Sequence, residues 1–504
     1  MLAGEVTASP RPSPDRALAL RLGFVCFLFF LVFNHGHYKG SDEVGFLQVT
    51  RALAERGDIA VPRMQHTDPG IDGRYYSHFS IGQSVAALPL YALGRLAEAV
   101  LPKSAVRALA GPDQKDVNQR FSGKVVIFTT GLHAPIAAAL LVVLFFAFEC
   151  ALGISRRVAV ACALLLAGTT YVALMSTYFL RHSSEAITLI GALYFFYRWR
   201  LGGTRRDLLF GSMLASATLI VRLPAGVGGL AIGGYLLWCI YERGGRRWNP
   251  ALLRSVVAPV AIPLLLVMAV SAAIDWSRWG VPWNVPQFRT GSLHTTPLYV
   301  SVWAALLSPG MGVFVYSPPL LLALWTFPVL WRRRRPEAVA FLVLAASFLF
   351  AFSSFSGWTG LWSSPGPRYQ FISVPLFMLP LGMWLDERYS RGRVAAVGVF
   401  AALGAWVQLV MMTTHWGALI EFMKYRNALP KWAFLYPPDH SPIVGASRLF
   451  LDGMYRDNWL LSLARGWPGQ DPHPGAALLI FGLWAVLFGW AITALVRCLR
   501  RTPN

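Results

Sequence analysis

Two adjacent carboxylates follow the first long apolar segment and are the residues best suited to chemistry. The loop at residues 34–43 reads NHGHYKGSDE and ends on Asp42 and Glu43. A carboxylate placed there can take the proton of an attacking hydroxyl group, which is general base catalysis. Adjacent residues of a helix point about 100° apart, so the two side chains cannot aim at one atom. One is expected to be catalytic and the other structural, although capping of a helix by Ser41 or Asp42 explains these residue types equally well.

Two arginines stand where apolar segments end, and both could bind phosphate. Arg222 closes one segment, and Arg181 lies between two others in the run RHSSE, which ends on Glu185. A guanidinium donates paired hydrogen bonds to phosphate oxygens and stays charged at all relevant pH values. The alternative is snorkelling to the interface or pairing with a carboxylate such as Glu185. Phosphate binding is the preferred interpretation of Arg222, and snorkelling or pairing that of Arg181.

A third polar cluster, at residues 356–369, reads SGWTGLWSSPGPRY. Its Trp358 and Trp362 suit either anchoring at a membrane interface or stacking on a sugar face. The Pro-Gly-Pro turn would hold Arg368 at the start of the next helix, where the helix dipole also favours an anion. Arg368 is therefore a second candidate phosphate ligand, with Tyr369 beside it.

Composition places these residues in a membrane protein. The chain is 55% hydrophobic and 14% charged, with a mean hydropathy of +0.49. It has many apolar runs of about 20 residues, the length that crosses a bilayer as a helix. The net charge of +21 would suggest nucleic acid in a soluble protein, but the basic residues fall in short blocks between apolar runs. They are topology signals, and no nucleic-acid partner is expected.

The apolar runs predict about twelve transmembrane helices in an all-α fold. Basic blocks follow alternate runs, which places both termini in the cytoplasm by the positive-inside rule. The predicted spans are 17–33, 123–149, 158–178, 184–200, 208–223, 225–241, 255–275, 310–331, 338–355, 370–386, 394–412 and 476–497.

The loops predicted on the opposite side are longer and richer in polar residues. They cover residues 34–122, 276–309, 356–369 and 413–475. The first of them contains an amphipathic stretch after Asp42, expected on the membrane surface and ended by Gly57, and a mostly apolar segment, 81–101, expected as a juxtamembrane helix. The loop 413–475 is aromatic and basic, which suits interfacial anchoring or binding of an acidic glycan or anionic lipid.

This pattern divides the chain into four parts. Residues 1–16 are expected to be a disordered cytoplasmic tail, and 17–412 a transmembrane catalytic module. The external loop 413–475 and a last helix with its cytoplasmic tail, 476–504, follow. The five cysteines all fall in predicted helices or cytoplasmic ends, so no disulfide framework or zinc site is expected. The absence of a phosphate-binding loop argues against a nucleotide-driven pump.

A resemblance to a known family rests on several of these runs together. They are SDE at 41–43, DGRYYSH at 72–78, PLYALG at 89–94, LSPGMGVFVYSP at 307–318 and the segment from Trp362 to Tyr369. In this order, over residues 20–390, the chain resembles bacterial GT-C membrane glycosyltransferases, which are related to protein O-mannosyltransferases and the lipid A aminoarabinose transferase. The resemblance implies many transmembrane helices with external juxtamembrane helices beside a lateral opening to the bilayer.

The resemblance also implies a function and roles for particular residues. The donor would be a hexose or pentose on polyprenyl phosphate, and the acceptor an envelope lipid, glycan or protein hydroxyl on the outer or periplasmic face of the plasma membrane. Asp42 would be the catalytic base, with Glu43 as its substitute. Glu185 is the nearest match to a second acidic site of the family, which leaves a divalent cation possible. Tyr75, Tyr76 and His78 would line the substrate site with Glu185 and the 356–369 cluster.

Transfer from a polyprenyl phosphate requires one base and a cationic clamp for the departing phosphate, with no strong general acid. In-line attack by one activated acceptor predicts inversion at the anomeric carbon. A transporter or flippase of lipid-linked sugars would also place arginines near phosphate beside a lateral opening. A non-catalytic assembly factor is the third possibility, and it would tolerate substitution of Asp42, Arg222 and Arg368.

Overall fold

The structure is a computed structural model. It describes residues 15–110, 115–116, 119–120, 124–283, 296–355, 357, 359–360, 364–388, 390–417, 419, 435, 437–454, 456–466 and 471–501. This part of the chain is mostly helical, as the apolar runs predict, and the all-α class is confirmed. The predicted disordered tail falls almost entirely on residues 1–14, outside the described part.

The helices, in chain order, are α1 Arg16–Val32, α2 Ser41–Arg56, α3 Gly82–Ala86, α4 Leu88–Val100, α5 Lys103–Ala110, α6 Lys124–Gly131, α7 His133–Leu152, α8 Arg156–Thr169, α9 Tyr171–Met175, α10 His182–Arg200, α11 Arg205–Val221, α12 Gly229–Arg243, α13 Pro250–Trp279, α14 Leu298–Leu307, α15 Val313–Tyr316, α16 Pro319–Arg333, α17 Arg335–Ser353, α18 Ser373–Glu387, α19 Arg391–Thr413, α20 Pro442–Leu451, α21 Trp459–Arg465 and α22 Pro474–Arg501. Short 3-10 turns cover Leu223–Gly228, Arg368–Gln370 and Pro438–His440. The strands are β1 Ala60–Val61, β2 Thr67–Pro69, β3 Tyr75–Ser77, β4 Lys115–Asp116 and β5 Gln119–Arg120.

Each of the twelve predicted spans coincides with a helix or with two consecutive helices. Within the described residues, six helical segments are long and apolar enough to cross a membrane. They are Val125–Leu152, Leu223–Arg243, Pro250–Trp279, Arg335–Ser353, Arg391–Thr413 and Pro474–Arg501. The chain is thus an integral multi-pass membrane protein, while the count of twelve spans, the orientation and the four-part division stay predictions.

Prolines and caps explain where the helices depart from the predicted boundaries. The predicted span 310–331 is two helices, because Pro318 and Pro319 each lack a backbone N–H and Ser317, just before them, leaves the helical conformation with a ψ of 68°. The predicted span 158–178 breaks at Thr170, whose side chain accepts from Val172 N and so caps a new short helix. Hydrophobic periodicity is continuous across both breaks and therefore gives no sign of them.

The first long loop folds into a compact layer over the helices. The amphipathic stretch forms α2 and ends at Gly57, whose φ of +67° is a left-handed conformation that glycine adopts without strain. A three-stranded antiparallel sheet in the order β1-β3-β2 follows, with Ala60 opposite Tyr76 and Thr67 opposite Ser77. The predicted juxtamembrane segment 81–101 is split into α3 and α4. The sheet was not predicted, because strands of two or three residues are too short for a periodic pattern.

The core lies among α7, α8, α10, α17 and α18. Large side chains without exposed surface fill it, including Tyr171, Tyr178, Tyr197, Tyr316 and Phe341. Close helix approach depends on small residues: a Cβ at Gly211 would lie 2.6 Å from the Phe196 ring, between α10 and α11. This packing fixes α10, whose amino-terminal end carries the charged residues described next.

Candidate active site

Asp42 is held by residues from two distant parts of the chain. Its Oδ2 accepts a hydrogen bond from Arg368 Nη1 at 2.7 Å, and its Oδ1 lies 3.3 Å from His66 Nε2. The Asp42 side chain is 11% exposed, so it is largely buried but still reachable. Burial lowers the pKa of His66, and the negative charge of Asp42 offsets this only in part. His66 is therefore neutral at pH 7, and the site pairs one carboxylate with one permanent cation.

The turn before Arg368 places its guanidinium beside Asp42. Gly366 has a φ of +79°, in the left-handed region that favours glycine. The Tyr171 hydroxyl donates to the carbonyl of Pro365, which fixes the turn against the helical core. Arg368 Nη2 also donates to the Tyr369 hydroxyl at 3.2 Å. The proline-glycine turn thus directs Arg368 to Asp42, whereas its role as a phosphate ligand stays a prediction.

Glu43 points away from Asp42 and binds backbone. Its Oε2 accepts from the amides of Lys39 at 2.7 Å and Gly40 at 3.1 Å, and its Oε1 accepts from Phe179 N at 2.6 Å. Burial raises the pKa of Glu43 to about 7, although the backbone hydrogen bonds from Lys39 and Phe179 lower it. Glu43 therefore has a structural role at the start of α2. The N-cap is Gly40, so the interpretation of Ser41 or Asp42 as the cap is wrong.

A second charged group lies at the start of α10. Arg222 Nη1 donates to Glu185 Oε2 at 3.1 Å, and His182 Nδ1 lies 3.4 Å from the same oxygen. The Arg222 guanidinium also lies 4.0 Å from the centre of the Phe352 ring and 5.0 Å from that of Tyr369. All three polar side chains are buried. Arg222 is therefore engaged by a carboxylate and an aromatic cage, and the pairing considered for Arg181 with Glu185 is made by Arg222 instead.

Arg181 has no such carboxylate partner. Within the described residues, no ion pair or side-chain hydrogen bond is formed by its guanidinium, which lies 5.1 Å from the centre of the Phe79 ring and 5.8 Å from that of Phe46. It lines a cleft with His78, Phe79 and Arg278 on one side. Apolar side chains line it as well, namely Ile81 of the predicted juxtamembrane segment, Leu219 and Ile220 of α11 and Leu223 of the turn that follows, and Asp275 of α13 adds a carboxylate.

Arg278, at the end of α13, is the second cation of this cleft. Its Nη1 donates to the Phe79 carbonyl at 3.3 Å, whereas its buried Nε and Nη2 have no hydrogen-bond partner among the described residues. A buried guanidinium with unused donors is costly unless an anion satisfies them. The cleft therefore has two arginines for which the described residues provide no ion pair within 4.0 Å, although the carboxylate of Asp275, which also lines it, attracts Arg278.

The cleft adjoins Asp42 through aromatic contacts. The ring of His66, which contacts Asp42, lies 5.7 Å from the ring of Phe79 and 6.4 Å from that of His78. Phe79 and His78 both line the cleft. A phosphate in the cleft and a hydroxyl at Asp42 could therefore belong to two reacting molecules.

The other predicted substrate residues are distributed around this site. His78 lies 3.0 Å from Asp68 and lines the cleft, and Tyr369 stacks on Phe352 with ring centres 5.2 Å apart. The Tyr76 hydroxyl donates to Asp72, and its buried ring packs on Trp279, so Tyr76 supports β3. The guanidinium of Arg63 lies 5.7 Å from the centre of the partly buried Tyr75 ring. Trp358 and Trp362 lie outside the described residues.

Sequence reasoning missed Arg278 and His66. Arg278 follows an apolar run as any basic flank would, and His66 stands in a loop without periodicity. It also missed a cluster that could hold a metal ion, made by His35, His37 and Asp457. The spacing His35-x-His37 was the available signal, but the third residue is too distant in sequence to be recognised.

Fold and site together define a multi-pass helical membrane protein with a partly buried charged site formed by its first long loop and the ends of several helices. No protein-family model and no curated protein sequence matches the chain. Among solved structures it is similar to ArnT from Cupriavidus metallidurans bound to undecaprenyl phosphate, at 14% identity and a TM-score of 0.47 over 95% of this chain and 75% of that one. The apo state of ArnT gives 14% identity and 0.48 over 88% and 77%.

It is also similar to the archaeal oligosaccharyltransferase AglB from Archaeoglobus fulgidus, in complex with an inhibitory peptide and a dolichol-phosphate. The identity is 13% and the TM-score 0.43, over 85% of this chain and 60% of that one. At these identities the likeness concerns the fold.

Proposed function

We propose that the protein is a membrane glycosyltransferase that moves a hexosyl or pentosyl group from a polyprenyl-phosphate carrier to a hydroxyl of an envelope acceptor. The observation that supports this most is the position of Asp42 beside a cleft with two arginines, Arg181 and Arg278, that lack ion-pair partners in the described structure. One carboxylate and one cationic clamp are the two groups that such a transfer requires.

The reaction can be written with these residues. The acceptor oxygen attacks the anomeric carbon while the bond from that carbon to the phosphate oxygen breaks and its electron pair leaves with the phosphate. The hydroxyl proton passes to Asp42, which Arg368 orients. The charge gained by the departing phosphate is stabilised by Arg181 and Arg278, because guanidinium groups bind phosphate oxygens strongly where water is excluded. Attack opposite the leaving group inverts the anomeric centre.

The apolar wall of the cleft supports a lipid-linked donor. Ile81, Leu219 and Ile220 line it beside the arginines. A polyprenyl chain could leave along this wall into the bilayer while its phosphate stays with the cations. The acceptor would approach Asp42 from the side of the first loop, which places the reaction at the outer or periplasmic face if the predicted orientation holds.

The test is donor turnover by the purified protein in nanodiscs, with a panel of polyprenyl-phosphate sugars and native envelope extract. We expect release of polyprenyl phosphate that needs the extract and falls by roughly 100-fold or more in Asp42→Asn, the scale of a lost general base. Asp452→Asn is the matched control, because Asp452 is an exposed carboxylate at the end of α20, away from the site. Full turnover in a folded Asp42→Asn protein would refute the proposal, and donor translocation without turnover would establish a flippase.

A further inference from the structure

Three side chains outside the proposed transfer site converge on one point, two of them buried and one, His37, partly buried. His35 and His37 lie in the loop between α1 and α2, and Asp457 precedes α21. His37 Nε2 lies 2.8 Å from Asp457 Oδ1, and His35 Nδ1 lies 3.2 Å from Asp457 Oδ2. One ligand atom from each residue lies within 4.8 Å of the other two. The proposed transfer reaction uses none of the three.

His35 Nδ1 and Asp457 Oδ2 are in close contact without the geometry of a regular hydrogen bond. Although the two atoms are 3.2 Å apart and fully buried, neither His35 Nδ1 nor Asp457 Oδ2 has a hydrogen-bond partner among the described residues. Such a pair is either a donor facing an acceptor, with the proton of His35 on Nδ1, or two acceptors that share a metal ion. Tetrahedral zinc ligands at about 2.0–2.1 Å from the ion lie roughly 3.3 Å apart, close to the separation seen here.

We infer that His35, His37 and Asp457 form a binding site for a divalent transition metal of the zinc type. Two imidazoles and one carboxylate are a ligand set that Zn²⁺ accepts, whereas Mg²⁺ and Ca²⁺ prefer oxygen ligands throughout. Three protein ligands leave a fourth position for water or another group. His415 stacks on His37 with ring centres 5.5 Å apart and shields the site on one side.

Lys39 provides the competing arrangement without an ion. Its ammonium lies against His35 Nε2, the nitrogen opposite the proposed ligand atom. With that contact, Nε2 accepts from the ammonium, so His35 carries its proton on Nδ1 and directs it at Asp457. The two residues then only link their two loops. Metal binding requires the proton to move to Nε2 and the Lys39 ammonium to turn away. The two arrangements therefore differ in one measurable property, which is stoichiometric binding of an ion.

The metal site would reinforce the contact between the segment that precedes α21 and the loop that follows α1, which hydrogen bonds already hold together. Asn458 Nδ2 donates to the Val32 carbonyl at 2.6 Å, and Trp459 N donates to the Asn34 carbonyl at 3.1 Å. A metal here would tie the last long loop to the segment that leads into α2. Because α2 carries Asp42, the ion would help to hold the carboxylate in place from a distance, as a positioning element that touches neither donor nor acceptor.

The experiment is titration of the chelator-treated full-length protein in nanodiscs with Co²⁺, followed by competition with Zn²⁺. We expect one Co²⁺ per chain with the intense visible absorption of a four- or five-coordinate site, displaced by one equivalent of Zn²⁺. His37→Ala and Asp457→Asn should weaken binding by at least ~10-fold, since even indirect partners of a metal ligand are worth 10- to 100-fold. His473→Ala is the matched control, because His473 stands at the start of α22 outside the cluster.

Absence of stoichiometric binding by the wild-type protein would overturn the inference and leave a hydrogen-bonded clamp. Unchanged affinity in Asp457→Asn would overturn it equally. X-ray absorption of the Zn²⁺-loaded wild-type protein does not depend on a folded variant. It should show two imidazole nitrogens and at least one oxygen, and a first shell with sulfur or without imidazole would contradict the site. These experiments measure metal binding only, so their outcome does not depend on whether the protein transfers a sugar.

Discussion

The carboxylate of Asp42 lies 2.7 Å from the guanidinium of Arg368, although 326 residues separate them in the chain. This ion pair joins the first turn of α2 to the proline-glycine turn before α18. The other candidate base, Glu43, and the other candidate phosphate ligand, Arg222, each bind different partners. The proposed roles of all the charged residues follow from these pairings and can be tested one by one.

Removal of the Arg368 guanidinium should misplace the proposed base. In Arg368→Gln, Asp42 loses the guanidinium that orients it, and we expect kcat to fall by roughly 100-fold with little change in donor affinity, because small misplacements of a reacting group cost about that much. Steady-state kinetics with a fixed acceptor would measure both. A rise in donor Kd with unchanged kcat would instead assign Arg368 to the phosphate, as the sequence interpretation had it.

Glu43→Gln should affect stability more than rate. The carboxylate accepts three backbone N–H bonds, and an amide can supply only one acceptor oxygen. We expect a loss of about 1–3 kcal/mol in the free energy of unfolding, from buried amides left without a partner. Thermal unfolding measures this, with Asp452→Asn, a change at an exposed carboxylate after α20, as the control. Loss of turnover without loss of stability would identify Glu43 as the base.

Substitution by Gln should lower stability at Arg222 and donor affinity at Arg181. Arg222→Gln leaves the buried Glu185 without its cation, which typically costs about 3–5 kcal/mol. Arg181 forms no ion pair with the residues that the structure describes, so Arg181→Gln should keep its melting temperature and bind the polyprenyl-phosphate donor more weakly. Thermal unfolding and donor binding, measured on both variants, separate the two.

The double variant Arg222→Gln/Glu185→Gln provides the control for the ion pair. It should recover much of the stability lost in Arg222→Gln, because no unpaired charge remains. Weaker donor binding in Arg222→Gln, at unchanged stability, would restore Arg222 as the phosphate ligand.

Acid should destabilise the protein through His66. Burial lowers the pKa of His66 below its usual 6.5, although Asp42 raises it in part. Below pH 6.5 the unfolded chain therefore binds more protons than the folded one, and stability falls as the pH is lowered through that window. We expect a smaller acid-induced drop in melting temperature for His66→Gln than for the wild type between pH 7 and 5. Equal drops would show that His66 does not titrate as the geometry requires.

Gly366→Ala should disturb the site through the turn. Residue 366 has a φ of +79°, and an added Cβ would lie 2.7 Å from the Tyr171 ring. The left-handed conformation alone costs a non-glycine residue about 1–2 kcal/mol. We expect a lower melting temperature and lower turnover together, because the turn carries Arg368. Gly168→Ala, where nothing lies within 4 Å of the new Cβ, should leave both unchanged or raise stability slightly.

The sequence by itself determined the helices and the nature of the candidate site. Continuous apolar runs specify helices wherever no proline or cap interrupts them, so each of the twelve predicted segments has a helical counterpart. The 100° offset of neighbouring helical residues anticipated that Asp42 and Glu43 would face different partners. Local turn chemistry likewise placed Arg368, because the conformation of Pro365, Gly366 and Pro367 depends on adjacent residues alone.

Only the tertiary structure decided which charges meet. Arg181 and Arg222 are equivalent by residue type and by position near a helix end, yet only Arg222 contacts Glu185. His37 and Asp457 are 420 residues apart, and Arg278 closes the cleft of Arg181 from the end of another long helix. Such pairings depend on how the helices pack, because an ion pair acts over a few ångströms and periodicity carries no information about which distant segments approach each other.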